Sequence, residues 1–542
     1  MSTIASPPCD AGQIQGQAAP SASCRGGNWV LAAAILGSSM VFIDSTVVGV
    51  ALPVLQSTLR ASSIQVQWVV ESYALFLAAL LLLGGSLGDQ FGRRRIFATG
   101  VVLFTAASML CGFAPNVNFL AVARGIQGIG GALLAPSSLA IISASFNAEE
   151  RGRAIGTWSG FTAITAAVGP ALGGWLVEHA SWRSVFFLNV PIALVVLVLV
   201  WRHVDESYGE HVKRIDWLGA SLVTTGLAAL TYGLLTASST GLGSARAAVT
   251  VAAGIVALIA FVFVEHRSAS PMVPLGLFRS RNFAGANILT LLLYGALGGA
   301  LYFVPFDLIQ VQRYSPTKAG ASLLPFILIM FVLSRWSGGL VARVGARLPL
   351  VIGPAVAACG FALFARAGAG GSYITTIGPA VVVLGLGMAI AVAPLTTTVM
   401  TAVGDEHAGL ASGINNAVSR TASLLAVAIL GLVMVAIFTR TLDSRIAALP
   451  VAPDVRLAIE AQSGRLAAIA LPPGMGDEAS LAARLAIDDA FVSGFRTVMI
   501  AAAALAIAAA LSAAVMIDGK RTAATDASPA PSLRVKLPEP PS

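Results

Sequence analysis

The stretch Gly84–Phe97, GGSLGDQFGRRRIF, places one aspartate and three consecutive arginines directly after the apolar run Tyr73–Leu83. An apolar segment that ends in a group of basic residues is typical of a membrane-spanning helix whose end faces the cytoplasm. That rule accounts for the arginines, but it does not account for Asp89 or for the glycines around it. The stretch therefore predicts a membrane helix with a further function at its cytoplasmic end.

The composition of the whole chain supports a membrane protein. Of its 542 residues 56% are hydrophobic and only 11% are charged, and the mean hydropathy is +0.83, which is well above that of a soluble globule of this length. A spanning helix needs roughly 20 mostly apolar residues. Fourteen such windows occur, which predicts an all-α integral membrane protein; they begin near residues 29, 67, 97, 118, 154, 184, 217, 247, 283, 319, 348, 374, 410 and 491.

The distribution of basic residues predicts the orientation of the chain. Loops after the even-numbered windows hold fourteen Lys and Arg residues, whereas the short loops on the other side hold six. The basic excess marks the cytoplasm, so both termini are expected inside. Because the net charge of +8 is spread through these loops, we expect the lipid bilayer and no nucleic acid as a partner.

The chain divides into two related halves. The segment Ser337–Leu348 repeats the order of glycines, leucine and arginines found after the second window, with Ala342 in the place of Asp89. Two six-helix bundles with two inserted helices follow from this repeat. The expected boundaries are a disordered cytoplasmic tail at 1–28, a first bundle at 29–202, a linker with the inserted helices at 203–268, a second bundle at 269–518 with an outer loop at 440–489, and a disordered tail at 519–542.

Four ordered motifs resemble those of the major facilitator superfamily and, within it, of the fourteen-helix drug/proton antiporters. The loop after the second helix matches at Gly85, Leu87, Asp89, Gly92, Arg93 and Arg94, with Gln90 in place of the usual arginine. The first-helix motif corresponds to Phe42–Gln56, and the fourth-helix motif to Leu120, Arg124, Gln127, Gly128 and Gly130. The fifth-helix antiporter motif corresponds to Gly160, Gly169, Pro170, Gly173 and Gly174.

The resemblance covers essentially every membrane segment. It implies the major facilitator fold, transport by alternating access driven by a proton gradient, and no cofactor. It also implies a protein of the plasma membrane, and we expect a monomer.

Three ionisable residues fall in the predicted outer half of the first bundle: Asp44 in the first helix, Glu71 in the second and Arg124 in the fourth. A charge at the bilayer centre costs about 2.5 to 3.5 kcal/mol, so such residues are functional candidates. Our hypothesis is that Arg124 pairs with Asp44, with Glu71 or with both, and that protonation loosens the pair. The resemblance assigns proton coupling to Asp44 and Arg124, while Glu71 is added from its position alone. The alternative is a permanent salt bridge that only fixes helix packing.

The cytoplasmic end of the second helix is a candidate gate. Asp89 is placed to meet an arginine or a helix N-terminus of the other half when the inner mouth closes. The resemblance implies that Asp89, Gly92, Arg93 and Arg94 latch the outward-open state. The alternative is that these charges only anchor the helix end.

The fifth helix is predicted to be tightly packed and bent. Its glycines at four-residue spacing allow close approach of backbones, and Pro170 removes one hydrogen bond of the helix. The resemblance implies that this motif, Gly160, Gly169, Pro170, Gly173 and Gly174, forms a seal against leak. Ordinary membrane packing is the alternative.

The substrate cavity is expected between the bundles, with mostly aliphatic and aromatic walls, which favours lipophilic small molecules. Aromatic side chains of membrane helices also face lipid, which is the alternative for each of them. We expect Asp307, at the outer end of the ninth helix, to touch water. The candidate cavity residues are Tyr73, Trp158, Phe161, Tyr294, Asn415, Asn416 and Arg420.

The sequence therefore predicts a proton-coupled secondary transporter that exports drugs or other lipophilic small molecules from the cytoplasm. Two alternatives stay open: an exporter dedicated to one endogenous metabolite, and a transporter-like sensor without flux. An enzyme is not expected, since no H-E-x-x-H motif is present and the five histidines are scattered. No cysteine or histidine spacing suggests a metal site.

Overall fold

A computed structural model describes residues 27–146, 148–209, 215–240, 244–268, 270–403, 408–449 and 451–518. The first helix begins at Gly27, so the predicted tail at 1–28 otherwise lies outside the described residues, as does the tail at 519–542. Within the described residues the chain forms helices, turns and loops without a β-strand, which confirms the all-α class.

Fourteen long helical segments follow one another along the chain. They are α1 Gly27–Leu59, α2 Ser63–Phe91, α3 Arg93–Gly112, α4 Val117–Ser145, α5 Ala148–His179, α6 Ser184–His203, α7 Trp217–Thr240, α8 Ala245–Arg267, α9 Arg281–Val311, α10 Pro316–Leu333, α11 Arg347–Phe364, α12 Ile377–Thr401, α13 Ala408–Ala447 and α14 Asp477–Met516. Thirteen of the described helices are long and apolar enough to cross a membrane. The exception is α5, a continuous helix of 32 residues that is less apolar and packs along α1.

The helices group as the internal repeat predicts. In the first half α4 packs against α2 and α3, and α1 packs against α4, α5 and α6. In the second half α9 packs against α13 and α14, and α11 packs against α12 and α14. The inserted helices α7 and α8 pair with each other, and α7 also contacts α2 and α13, one helix from each half. The predicted fold, two six-helix bundles with an inserted pair, is confirmed.

Glycines of α4 explain how its bundle packs so closely. A Cβ atom at Gly130 would lie 2.5 Å from the backbone nitrogen of Phe104 in α3, and a Cβ at Gly128 would meet the backbone carbonyl of Tyr73 in α2. Only glycine allows both neighbours to approach at these points. The two glycines of the fourth-helix motif therefore fix α4 between α2 and α3.

The two ends of the bundle are named here by the predicted orientation. The outer side is the end at which α1 stops and α2 starts, and the inner side is the end at which α2 stops and α3 starts. Which of the two sides faces the cytoplasm remains a prediction made from the distribution of basic residues.

The segment between α13 and α14 lies on the outer side. α13 continues to Ala447 and α14 begins at Asp477, so both helices extend into the expected loop at 440–489. Between them run a short helix, Pro453–Glu460, and a 3-10 turn, Ser463–Ala468. The turn packs against α1 and α2 of the first half and against α13 and α14 of the second. The window near residue 491 therefore places the start of the last helix too late, because acidic and basic residues occupy the first turns of α14.

Candidate functional site

An ion pair lies inside the first bundle. Arg124 of α4 donates from Nη1 to Oδ2 of Asp44 in α1 at 2.5 Å. Both residues are 1% exposed. Because α1 runs on to Leu59, Asp44 lies near the middle of that helix.

Neutral side chains complete the surroundings of this pair. Gln127, one turn after Arg124, accepts from its Nη1 at 2.8 Å and donates through Nε2 to Oδ1 of Asp44 at 2.8 Å. Asn189 of α6 donates to the same oxygen at 3.4 Å and to the hydroxyl of Ser108 at 3.0 Å. Both carboxylate oxygens of Asp44 therefore accept charge-assisted or amide hydrogen bonds.

The guanidinium of Arg124 has further contacts on its other side. Its Nε donates to the backbone carbonyl of Val69 in α2 at 3.2 Å. The carbon Cζ lies 4.1 Å from the centre of the Tyr73 ring and 6.0 Å from that of Phe186. Aromatic faces attract a cation, so the arginine is held by three helices besides its own, α1, α2 and α6. The site thus joins α1, α2, α3, α4 and α6.

Glu71 is not part of this site, although it is predicted as a possible partner of Arg124. Its side chain is 1% exposed, and within the described part of the chain neither carboxylate oxygen has a hydrogen-bond partner. Arg124 is already occupied by Asp44, Gln127 and the carbonyl of Val69. Of the pairings considered, the structure forms the one with Asp44 and not the one with Glu71.

The predicted gate residues lie at the inner side. Asp89 pairs with Arg93, one turn later, through contacts of 2.9 Å and 3.0 Å. Its backbone carbonyl accepts from the amide of Gly209 at 2.9 Å. These partners belong to the first half and to the linker that follows it. The contact with the second half remains a prediction for the state in which the inner side closes.

A residue that sequence reasoning missed organises this loop. Glu206 accepts from the backbone amide of Arg94 at 2.9 Å and lies 3.5 Å from Nε of Arg95. Gly92 precedes α3 with a φ of 106° and offers no side chain to cap the helix. A Cβ at Gly92 would lie 2.5 Å from Oε1 of Glu206. Glu206 therefore caps α3 from the linker, and Gly92 leaves the space for it.

The glycines of the fifth-helix motif close the outer side. Gly169 and Gly173 face α1, where a Cβ at Gly173 would lie 2.9 Å from Cα of Val47. Gly174 faces the start of α10, where its Cβ would lie 2.7 Å from the carbonyl carbon of Pro316. A Cβ at Gly320 would in turn lie 2.6 Å from the carbonyl carbon of Pro170. This second half of the motif brings the two bundles into direct backbone contact.

Gly160 has a different environment from the rest of the motif. A Cβ added there would meet nothing within 4 Å, and the same holds for Gly156 one turn earlier. The four-residue spacing of glycines thus predicts close packing at the outer end of α5 correctly, but not at these two positions. Only the glycines beside Pro170 face a neighbouring helix at close range.

The aromatic residues that are predicted to line the cavity lie in different environments. Tyr73 lies 4% exposed beneath the guanidinium of Arg124. Trp158 donates from Nε1 to the hydroxyl of Ser38 in α1 at 3.0 Å, so it contributes to packing within the first bundle. Phe161 is 51% exposed. These three side chains do not form one surface, and their role in substrate binding stays a prediction.

The candidates of the second half lie along α9 and α13. Asn415 donates to Oδ1 of Asn287 at 3.2 Å and to the hydroxyl of Thr290 at 2.7 Å, which joins α13 to α9. Asn416 is exposed and Tyr294 is half-buried.

Arg420 is half-buried on α13, and its Nε lacks a hydrogen-bond partner within the described chain. Its helix packs against α2 of the first half. Arg420 is therefore a cationic side chain on the helix of the second half that contacts the first.

Asp307 does not face water, contrary to expectation. It is 3% exposed and accepts a hydrogen bond from Gln312 at 3.3 Å. It begins a π-helical turn, Asp307–Val311, that ends α9. A π-helical turn contains one more residue than a regular helical turn, so a regular helical pattern does not indicate how its residues are oriented.

These features define a multi-pass membrane protein with a buried ion pair inside one bundle and an interface, the seam, between its two six-helix bundles. This is the architecture of a secondary transporter. The sequence matches the family model of the Major Facilitator Superfamily over residues 34–427. The chain belongs to the Major Facilitator Superfamily, as its four motifs indicate. It is a transporter and not an enzyme.

Curated relatives agree with this assignment. The chain is 37% identical to the multidrug resistance protein Stp of Mycobacterium tuberculosis over 409 residues, which cover 75% of this chain and 76% of that protein. It is 35% identical to the tetracenomycin C resistance and export protein of Streptomyces glaucescens, over 77% of each chain. It is 34% identical to the drug efflux pump JefA of M. tuberculosis, over 87% of this chain and 94% of that one.

Solved structures support the fold. A bacterial homolog of the human lysosomal transporter Spinster aligns with a TM-score of 0.62 at 16% identity, over 90% of this chain and 98% of that chain. The xylose transporter XylE from E. coli aligns with a TM-score of 0.54 at 15% identity, over 91% and 97%. Both are similar in architecture to the present protein.

Proposed function

We propose that this protein is a proton-coupled exporter of drugs or other lipophilic small molecules, located in the plasma membrane with both termini in the cytoplasm. The observation that carries the proposal is the buried Asp44–Arg124 pair. A charged pair inside a membrane bundle is costly to maintain, and one protonation event changes its energy. We further propose that a single chain transports its substrate with the proton gradient as its only energy source and no cofactor.

Protonation of Asp44 changes the site in a definite way. The proton cancels the charge that opposes Arg124, and the guanidinium then keeps only Gln127, the Val69 carbonyl and the aromatic faces. The weakened contact belongs to Asp44 on α1, whereas the retained contacts lie on α2, α4 and α6, so protonation alters the packing among four helices of one bundle. The proton is thereby linked to the arrangement of the whole first half.

Alternating access requires that the interface between the two bundles can close at either side, and the two sides differ in this structure. The outer side is closed by backbone contact between Gly174 and Pro316. At the inner side the described partners of Asp89 are Arg93 and Gly209, which belong to the first half and its linker. We propose that closure of the inner side brings Asp89 to the second half, with Gly92, Arg93 and Arg94 holding the loop in place.

The proposed substrate class rests on the relatives and on composition. Proteins named for multidrug resistance and for tetracenomycin C resistance and export are similar over three quarters of the chain. Lipophilic antibiotics therefore come first among candidates. A relative named for a single antibiotic also keeps the narrow exporter of one compound as the second candidate.

Uptake into inside-out membrane vesicles tests the proposal. Energised vesicles that contain the protein are expected to accumulate a radiolabelled probe such as puromycin or tetraphenylphosphonium, and to lose this uptake when a protonophore is added. Asp44→Asn should abolish it, whereas Asp443→Asn, an exposed acid at the outer end of α13, should not. Uptake that survives the protonophore would contradict proton coupling.

A further inference from the structure

A second group of buried polar side chains lies away from the Asp44 site. Gln67 and Glu71 are one turn apart on α2 and are 0% and 1% exposed. Tyr302 of α9 is 8% exposed and lies within electrostatic reach of Glu71. Five polar atoms of these three side chains have no hydrogen-bond partner among the residues that the structure describes: both of Gln67, both of Glu71 and the hydroxyl of Tyr302.

This group lies at the seam between the halves, towards the outer side. Gln67 packs against Gly431 of α13 so closely that a Cβ there would lie 2.9 Å from the amide carbon of Gln67. The apolar side chains around it come from both halves, among them Val66 and Val69 of α2 and Leu430 and Met434 of α13. Closure of the outer side therefore removes Glu71 from water.

No cation is positioned to neutralise Glu71 within the described residues. On α4, Arg124 is held by Asp44 and by the carbonyl of Val69. On α13, Arg420 lies eleven residues from Gly431, about 16 Å along the helix towards the inner side. In the outer turn, Arg465 donates to Gln462.

The titratable and aromatic groups that the described chain provides on the other neighbouring helices supply no cation for Glu71 either. On α9 the nearest such group is the neutral Tyr302, which interacts with Glu71 only electrostatically. On α7, Tyr232 lies against Trp68 of α2 in a tilted arrangement, with ring centroids 6.3 Å apart. An ionised carboxylate without a cation and without a donor is strongly disfavoured in such surroundings.

We propose that Gln67 and Glu71 form a second proton-binding site at the seam, and that the outer side closes only when Glu71 carries a proton. In the closed arrangement the carboxylic acid is neutral, and its O–H can donate to the side-chain amide oxygen of Gln67, one turn earlier on α2. When the bundles separate on the outer side, water reaches the acid, which then releases its proton to that side. The outer pH thereby controls the gate directly.

This site differs in function from the Asp44 pair. Asp44 accepts several donors and faces a permanent cation, so its arrangement holds a charge inside one bundle. Glu71 lies between the bundles and has neither, so its arrangement holds a neutral acid. The inference rests on the alternating access proposed above but not on coupling at Asp44.

The distance between the outer ends of α1 and α13 tests the inference without a substrate. Spin labels at Thr58→Cys and Ser444→Cys, both exposed positions, are placed in full-length protein whose four native cysteines are replaced. Double electron–electron resonance in lipid nanodiscs then measures the separation from acidic to alkaline pH. In otherwise wild-type protein we expect one short distance at acidic pH and a growing long-distance population as pH rises.

Four variants make the result specific. Glu71→Gln should keep the short distance at every pH, and Glu71→Asp should retain a pH response because it still titrates. Asp307→Asn is the matched control, because Asp307 is also buried at the outer side but has Gln312 as a donor, and it should respond as the wild type does. In the Asp44→Asn background the response should persist. A wild-type response in Glu71→Gln would overturn the inference, as would loss of the response in Asp44→Asn alone.

Infrared spectroscopy of the same samples gives a second readout. The carbonyl stretch of a protonated carboxylic acid should weaken as pH rises in the wild type and in Asp44→Asn, and this difference band should be missing from Glu71→Gln. An unchanged band in Glu71→Gln would contradict the site. Since neither measurement uses transport, failure here leaves the proposed drug export to be judged by vesicle uptake.

Discussion

Gln127 bridges both members of the buried ion pair through one amide: its oxygen accepts from Arg124 and its nitrogen donates to Asp44, each at 2.8 Å. A third residue that satisfies both partners fixes their geometry. Such a pair is strongly destabilised when one partner is lost, because the other charge remains buried and unpaired. Single and double variants of the pair therefore distinguish a site that couples protons from a salt bridge that only fixes helix packing.

Stability should distinguish the single variants from the double variant at the ion pair. Arg124→Gln leaves the Asp44 carboxylate without its cation, so we expect a loss of about 3 to 5 kcal/mol in the free energy of unfolding at neutral pH. Asp44→Asn combined with Arg124→Gln removes both charges and should recover most of that loss. Thermal unfolding in detergent measures the stability, and vesicle uptake should remain absent in the double variant. Recovered transport in the double variant would mean that the pair only fixes packing.

Asn189 should set the pH dependence of transport. Its amide donates to Oδ1 of Asp44, and a donor favours the ionised form of a carboxyl. Asn189→Leu removes this donor from the proposed coupling residue, so the pH profile of uptake should move to higher pH. Ser108→Ala is the control, because Ser108 contacts Asn189 and not Asp44. An equal shift in both variants would contradict a direct role for the Asn189 amide.

Two glycines of the same motif should respond differently to alanine. Gly174→Ala places a methyl group against the backbone of Pro316, which cannot move aside as a side chain can, so closure of the outer side is weakened. We expect at least a tenfold loss of uptake, which corresponds to about 1.4 kcal/mol. Gly160→Ala meets open space and should stay within about twofold of the wild type. Similar losses in both variants would argue that the motif acts through helix flexibility rather than through the seam.

Glu206 should stabilise the loop that carries Asp89. Glu206→Ala removes the acceptor for the Arg94 amide at the start of α3 and should lower stability by about 1 kcal/mol. Glu206→Gln retains an acceptor and should cost less. Gly92→Ala should be more damaging than either, since the new Cβ meets Glu206 and the φ of 106° strains any residue but glycine. The melting temperatures of the three variants check this order.

Turnover should depend on Asp89 if the inner loop is a gate. Asp89→Asn keeps the size of the side chain but weakens its contacts with Arg93 and with any cation of the second half. We expect the maximal rate of uptake to fall more than the apparent affinity for the probe. A rate equal to that of the wild type would instead assign Asp89 to anchoring of the helix end.

Much of the fold could be predicted from sequence, because a helix that crosses a membrane must be long and mostly apolar. Long apolar windows predicted the helices, and the internal repeat of glycines, leucine and arginines predicted the inserted pair. The error at α14 has a physical cause: the helix continues outside the apolar window, through charged residues such as Arg484 and Asp488, where hydropathy gives no indication. The π-helical turn at Asp307 was invisible for a similar reason, since one extra residue per turn leaves no trace in composition.

The site was predictable only in part. Asp44 and Arg124 stand out as charges in apolar helices, and their pairing follows from shared depth. Asn189 could have been found as a polar residue in the apolar run FFLNVPI, whereas Glu206 lies in a polar loop where an acid carries no signal. Glu71 was placed at the correct depth but on the wrong face, because depth along a helix does not determine which neighbour the side chain meets.

The most direct test of the central claim is proton movement in sealed proteoliposomes that contain a pH-sensitive dye. A panel of lipophilic cations, neutral antibiotics and small metabolites is added against an imposed pH gradient. The account predicts proton flux driven by lipophilic compounds in the wild type and in Asp443→Asn, and no such flux in Asp44→Asn. Proton flux of equal size in Asp44→Asn would contradict it.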